Sequence, residues 1–317
     1  MTNPYPWQIP AWQRLQQAKA DNHLHHALLF SGEGGCGNSI FLAALANSLL
    51  CLNTTSDGNA CGECRSCNVQ AAQAHPDFMA VKVLDDKQSI LIDQIRDLNY
   101  FLGLSRSYSP RRVVIIEPAE RMNVNAANSL LKSLEEPAAD THVLLLTENP
   151  ALLLPTIRSR CQTVRLPLPT HHQAVAWLQQ QTLQHPIESL LETALGRPLA
   201  ALALDSTDTL SHRTQWLAHV TQCLQGQGNI TEISAHWEKF DKVQLLDWQF
   251  TWLKSLLKQH AGDGSAIITN ELRHLYTLLN SRRLLSMYDK LLELKKLSTH
   301  PLNPRLFIES MLILWQA

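Results

Sequence analysis

Residues 32–39 of this sequence read GEGGCGNS, and Gly32, Gly34, Gly35 and Gly37 followed by Asn38 and Ser39 are spaced like a loop that wraps phosphate. In a working loop of that kind, backbone N–H groups surround the phosphates, a lysine reaches the outer ones and a Ser or Thr hydroxyl holds magnesium. Gly32, Gly37 and Ser39 meet the pattern, but Asn38 stands where the lysine belongs and brings a donor without a charge. Losing one charge-assisted hydrogen bond costs roughly 1.5–3 kcal/mol, a weakening of about ten- to hundredfold that does not forbid binding. Hydrolysis should suffer more, because the lysine also stabilises charge on the transferred phosphoryl group. On the loop alone, a damaged nucleotide site and a plain strand-to-helix turn stand level. A second loss tips the balance. Where an ATPase carries acidic residues after the strand VVIIEP, this chain has Glu117 and Pro118, and a proline cannot activate water. Two losses in one site favour an inactive nucleotide fold.

A second cluster, CLNTTSDGNACGECRSC, sets Cys51, Cys61, Cys64 and Cys67 in a C-x9-C-x2-C-x2-C arrangement. Two-residue gaps let successive thiolates face one centre, and four soft ligands suit a closed tetrahedral zinc site with no open position for substrate. Such a zinc would be structural. An iron–sulfur cluster, or reduced thiols without metal, are the competing readings. Cys36, Cys161 and Cys223 read as small core or loop residues, and His25, His26 and His75 as structural, since none has metal or triad spacing.

The third cluster is TIRSRCQ, which puts Arg158 and Arg160 on a loop leading out of the sheet region. A surface salt bridge is the plain reading. The other is that a planar, permanently charged guanidinium enters a neighbouring subunit's nucleotide site and stabilises charge there. Arg106, Arg111 and Arg112 read as a solvated basic turn, with a phosphate contact as the alternative.

These side chains need elements to hold them. Up to about residue 165, short apolar runs alternate with helix-period segments, the pattern of a parallel sheet covered by helices. Strands are expected at 27–31, 78–84, 112–117 and 142–147. Helices should follow the glycine loop, run from a Ser89 cap through Leu91, Ile95, Leu98 and Leu102, and run through Leu130, Leu131 and Leu134 to Pro137. Beyond RLPLPTHH the strand runs vanish. A small helical unit with a turn at LGRP (195–198) precedes an all-helical remainder, in which Leu272, Leu275 and Leu279 mark a face that Leu285, Tyr288 and Leu292 continue. Asn303 and Pro304 have the cap and first-turn chemistry to start the last helix.

The bulk numbers agree with a multi-domain globular protein: 317 residues, 45% hydrophobic and 17% charged. A net charge of −1 supplies no field that would recruit nucleic acid or an anionic membrane on its own, and a zinc-dependent DNA-binding or redox module is disfavoured by the lack of a strongly basic stretch and of an open ligand position. The amino terminus lacks the basic and apolar regions of a signal peptide and nowhere do 18 apolar residues run together, so a cytoplasmic protein without membrane attachment is expected. An odd count of 7 cysteines also fits metal ligation in a reducing compartment rather than a disulfide framework.

HHALLFSGEGGCG, the four-cysteine insert, HPDF, IDQIRDL, VVIIEPAERMNVNAANSLLKSLEEP and LLPTIRSRC, in that order, resemble the clamp-loader branch of the AAA+ proteins, densely over residues 7–165 and more loosely beyond. The resemblance implies an α/β parallel-sheet AAA+ core at 1–165 with a zinc module at 51–67, a helical lid at 166–206 and an all-α collar for oligomerisation at 207–317. It implies that Cys51, Cys61, Cys64 and Cys67 hold the family's zinc. It implies that Ser159, Arg160 and Cys161 are its SRC motif, with Arg160 completing the ATP site of an adjacent motor. Active loaders keep the lysine and the acidic pair. Departure at Asn38 and Pro118 therefore implies a non-hydrolysing member of the DNA polymerase III loader, with Gly32, Gly35, Gly37, Asn38 and Ser39 as a degenerate loop. Its implied partners are gamma/tau-type ATPase subunits, a delta subunit and, through the assembly, the sliding clamp and primed DNA. TENP (147–150) and Arg197 lie where sensor residues of active members would be. A weak ATPase using Asn38 is the alternative function.

Overall fold

The structure, a computed structural model, describes residues 3–85, 87–262, 270–298, 300 and 302–316. The chain divides into two compact units, Met1–Ala174 and Val175–Ala317.

In the first unit a 5-stranded parallel sheet has the order β2-β3-β4-β1-β5. Its strands are β1 (Ala27–Ser31), β2 (Phe78–Val81), β3 (Arg112–Ile116), β4 (Thr141–Thr147) and β5 (Gln162–Arg165). The inner strands are apolar through their middles because both faces are covered. Alternate residues go to opposite sides: Ala27, Leu29, Val114, Ile116, Val143 and Leu145 enter one core, and Leu28, Phe30, Val113, Ile115, Leu144 and Leu146 enter the other. The second core is closed by α1 (Ile9–Ala20) and α2 (Asn38–Leu50), through Trp12, Phe41, Leu45 and Leu49. On the other face lie α4 (Ile92–Gly103), α5 (Val124–Glu135) and the short α6 (Pro155–Arg158), through Ile95, Leu98, Leu130, Leu134 and Ile157. Between β1 and β2 the cysteine insert ends in α3 (Arg65–Ala71).

Four local expectations change. β5 is a fifth strand, and SRC sits in the turn between α6 and β5 rather than on an exit loop. Strand β2 stops at Val81 instead of 84. Ser89 is not the cap of α4; Leu91 occupies that position, and its N–H is satisfied by Gln94 Oε1 at 3.0 Å. Arg112 is no solvated turn residue. It begins β3 at 2% exposure, donating to the carbonyls of Leu102, Leu104 and Ser105 with Asp77 at 3.8 Å. Arg106 does stay near the surface, paired with Asp140 at 2.9 Å.

The division between units falls inside α7 (His171–Leu178). The second unit continues with α8 (Ile187–Thr193), α9 (Pro198–Asp205), α10 (Thr209–Leu224), α11 (Ile230–Trp237), α12 (Lys242–His260), α13 (Asn270–Leu278), α14 (Ser281–Leu297) and α15 (Pro304–Ile313). One core runs through the unit, built on Trp216, Trp252, Leu275, Leu291, Ile308 and Trp315. Asn303 caps α15 as expected, accepting from Arg305 N at 3.0 Å, with Pro304 in the first turn. The buried face of α14 is Leu284, Met287 and Leu291, so Leu285 and Leu292 point outward, at 55% and 41% exposure. Among the described residues, no helix is long and apolar enough to cross a membrane.

Candidate nucleotide loop, metal centre and arginine site

The glycine loop leaves the carboxyl end of β1, which lies between β4 and β5, and the carboxyl ends of the strands are where open α/β sheets bind ligands. Gly35 and Gly37 take φ of 76° and 81°, the left-handed region in which a side chain would be strained. α2 starts directly at Asn38, so the turn delivers a helix amino terminus to the loop. The form of a phosphate site is therefore present.

The chain's own groups crowd the loop. Asn38 is 7% exposed, and its Nδ2 donates to the Glu33 carbonyl at 2.8 Å, tying the loop shut across its own turn. A carbon added at Gly32 would lie 2.8 Å from that same Nδ2. A carbon at Gly34 would collide with the Glu148 carboxylate, and one at Gly37 with the Tyr5 ring. Tyr5 is held there by stacking on Trp7 at 4.9 Å, and Trp7 Nε1 and Gln8 Nε2 both donate to the Cys36 carbonyl, at 3.0 and 3.2 Å. A carboxylate beside Gly34 repels phosphate, and the missing lysine withholds a charge that would offset it. One part survives. Ser39 Oγ donates to Glu117 Oε1, bringing together the hydroxyl and the carboxylate that hold magnesium in a working site. The next residue, Pro118, follows through a cis peptide bond. In the TENP segment, Asn149 caps a short 3-10 helix by accepting from Ala151 N at 3.1 Å.

The four cysteines converge. Cys51 ends α2, Cys64 caps α3 and Cys67 lies in α3's first turn. Their sulfurs lie within 4.8 Å of one another, with pairs at 3.6 Å (Cys51–Cys61 and Cys51–Cys67) and 3.9 Å (Cys51–Cys64 and Cys61–Cys67). Four sulfurs about 2.3 Å from a tetrahedral ion would be about 3.8 Å apart, so the donor set fits a metal ion. The N–H groups of Cys61 and Cys64 point at the sulfurs of Cys51 and Cys61, each at 3.3 Å, which favours thiolate. Burial works against ionisation at Cys64, but hydrogen bonds from Cys67 and Leu52 N–H and from neighbouring thiols prevail and hold it at about 6. Burial pushes Cys51 and Cys67 upward.

The insert is fastened to the sheet unit at several points. Trp12 Nε1 donates to Asp57 O at 2.9 Å, and Ser66 Oγ donates to Leu50 O at 2.7 Å. His75 and Asp77 of the HPDF segment finish the attachment. His75 Nε2 is 2.9 Å from Ser66 Oγ and 3.0 Å from Ser109 Oγ, and Asp77 accepts from the N–H groups of Ser107, Tyr108 and Ser109 at 2.7–2.9 Å. Burial lowers the pKa of His75, so it sits there neutral, as a structural histidine. Burial alone would raise that of Asp77, but the three N–H groups outweigh it and hold the carboxylate below its ordinary range.

Arg160 lies after α6, which Ile157, at 0% exposure, pins against α5. Its Nη1 donates to Thr156 O at 2.9 Å, with Ser159 Oγ at 3.5 Å, and its Nη2 is 2.5 Å from Glu135 Oε1. About a third of the side chain, 34%, remains exposed. Burial pushes the Cys161 thiol up to about 11, so it stays protonated and packs against the apolar core. Arg158 is exposed at the end of α6. Arg197 spends Nε on Ala194 O, 2.7 Å away, at the carboxyl end of α8. Glu135 is invisible as a site residue in the sequence: its place in SLEEP marks a helix end and gives no sign of the arginine it meets.

The family model described as "DNA polymerase III, delta subunit" matches residues 7–170. A Pseudomonas aeruginosa protein described as DNA polymerase III subunit delta' is 35% identical, over 99% of this chain and 98% of its own. Proteins of the same description from Haemophilus influenzae and Escherichia coli are 33% and 32% identical, over 81% and 84% of this chain and 78% and 79% of theirs.

Proposed function

Because the chain belongs to the DNA polymerase III delta' family, a clamp-loader subunit, we propose that it works as a non-hydrolysing stator that lends Arg160 to a neighbouring motor. One contrast carries this reading: the chain's own phosphate loop is tied across by Asn38, while Arg160 stands part-exposed on a pinned turn. An arginine contributes to ATP hydrolysis by reaching charge that develops on the transferred phosphoryl group, and it does so as well from an adjacent subunit as from its own. Lacking a nucleotide cycle, this subunit would be the fixed reference against which gamma/tau-type motors and the delta subunit open the sliding clamp and place it on primed DNA. In the same proposal, residues 166–206 act as the lid and 207–317 as the ring-forming collar, and the whole works in the cytoplasm. The metal at Cys51, Cys61, Cys64 and Cys67 would be a structural zinc, since all four tetrahedral positions are filled by protein.

The experiment is Arg160→Ala in the assembled loader. Hydrolysis at the adjacent site should slow by about a hundredfold in single turnover, with assembly intact by gel filtration. Unchanged hydrolysis in an intact assembly would sink the trans-acting role. A second reading, a weak ATPase at the altered loop, rests on the surviving contact between Ser39 and Glu117.

A further inference from the structure

We propose that Glu135 is a positioning residue for Arg160, acting as a clasp that presents the guanidinium to the neighbouring subunit; this rests on the trans-acting reading above. Neither partner is on a loose segment. Glu135 is the last residue of α5, whose Leu130 and Leu134 are buried at 0% and 2% exposure. Arg160 follows α6 in a turn closed by its own N–H to Ile157 O at 3.1 Å, with Ile157 itself at 0% exposure. The same apolar core thus fixes both backbones.

The contacts engage both terminal nitrogens and leave part of the guanidinium uncommitted. A guanidinium has five N–H donors in a rigid fork. Nη2 meets Glu135 at 2.5 Å, and Nη1 meets Thr156 O at 2.9 Å and Ser159 Oγ at 3.5 Å. Nε and the second hydrogen of Nη2 remain for an anion, on a side chain that is 34% exposed. An arginine side chain otherwise spreads over many rotamers, and an arriving phosphate would have to select one. Glu135 and the Thr156 carbonyl, with Ser159 Oγ beside them, make that selection in advance, which is how positioning contributes to rate.

A stability role explains the pair poorly. The two side chains are 34% and 48% exposed, and exposed ion pairs contribute little to folding. A carboxylate that served only the fold would be dispensable for hydrolysis. A carboxylate that aims an arginine would not be.

The test uses the assembled loader carrying Glu135→Ala, Glu135→Gln, Arg160→Ala or both alanines. Positioning predicts that Glu135→Ala lowers kcat about tenfold with little change in KM, that Glu135→Gln, which keeps an acceptor oxygen, recovers most of the loss, and that the thermal midpoint of the free subunit does not move. The double alanine variant should be no slower than Arg160→Ala, since the clasp acts only through the arginine. If Glu135→Ala leaves kcat unchanged or raises it, or if the double variant is much slower than Arg160→Ala, the clasp is refuted. If Arg160→Ala itself changes nothing, it is the trans-acting reading that has failed.

Discussion

At the scale of single residues, Asn38 does two things that its absence of charge alone does not convey. It withholds the cation that outer phosphates need, and it bonds the Glu33 carbonyl, closing the loop on itself. The missing lysine was legible in the sequence, because the loop pattern has a fixed spacing. The closure was not, because it depends on which way an amide points inside a turn. The same holds for Glu148 and Tyr5, which are remote from the motif in sequence and meet it only after β4 and the amino-terminal segment are in place. These obstacles are independent, so restoring one should not restore the site. A lysine alone offers about ten- to hundredfold through one charge-assisted bond, yet the carboxylate beside Gly34 and the ring over Gly37 would remain. In a titration of the isolated chain, Asn38→Lys is therefore expected to improve ATP affinity less than Asn38→Lys combined with Glu148→Gln, and the unaltered chain should give no turnover above background. Turnover by the unaltered chain that disappears on Ser39→Ala would instead favour the weak-ATPase reading.

At the scale of elements, legibility followed burial. The inner strands β1, β3 and β4 stand out as apolar runs because both faces are covered. β5 does not: in QTVR only Val164 is apolar and the strand is largely exposed, so its extended state comes from pairing with β1 rather than from its own composition. Helix α14 shows the opposite error, where a period found in the sequence was assigned to the inner face although Leu284, Met287 and Leu291 occupy it. The cysteine insert was legible as a donor set, but its fastening through Trp12, Ser66, His75 and Asp77 was not. That fastening decides what metal removal should do. Asp57, midway along the insert, is tied to α1 through Trp12, and Ser66 at its carboxyl end is tied to Leu50 by a buried hydrogen bond, so the loss of metal should loosen the stretches of 52–63 between these ties without dissolving the sheet. Metal analysis is expected to return near-stoichiometric zinc, lost on Cys64→Ser. After chelation, proteolysis should begin within 52–63 while the far-ultraviolet dichroism changes little. Iron with labile sulfide would replace zinc by a cluster, and a metal-free native protein would leave the cysteines as reduced thiols.

At the scale of the whole molecule, the two units bury separate sets of residues. The first unit's cores are built around its sheet, and the second unit's core is wholly helical, with no residue shared between them. Separate cores predict separate unfolding events, and tryptophan placement provides a way to see them. Six of the eight tryptophans, at 177, 216, 237, 248, 252 and 315, fall in the second unit. Intrinsic fluorescence therefore reports mainly on the helical unit, while metal release from the four cysteines reports on the first. Trp315 offers the cleanest perturbation: it is 0% exposed, and its Nε1 donates to Gln249 Oε1 at 2.6 Å inside the helical core. Trp315→Ala removes a large buried ring and strands a buried amide oxygen, costing about 3–5 kcal/mol in that unit. The fluorescence-detected transition should move down by several degrees while the temperature of metal release stays put. If the second unit forms the collar of the ring, the same variant should also weaken co-purification with the other loader subunits. A single transition seen by both probes, shifted as one, would mean that the two units unfold together and that the sheet unit draws its stability from the helical one.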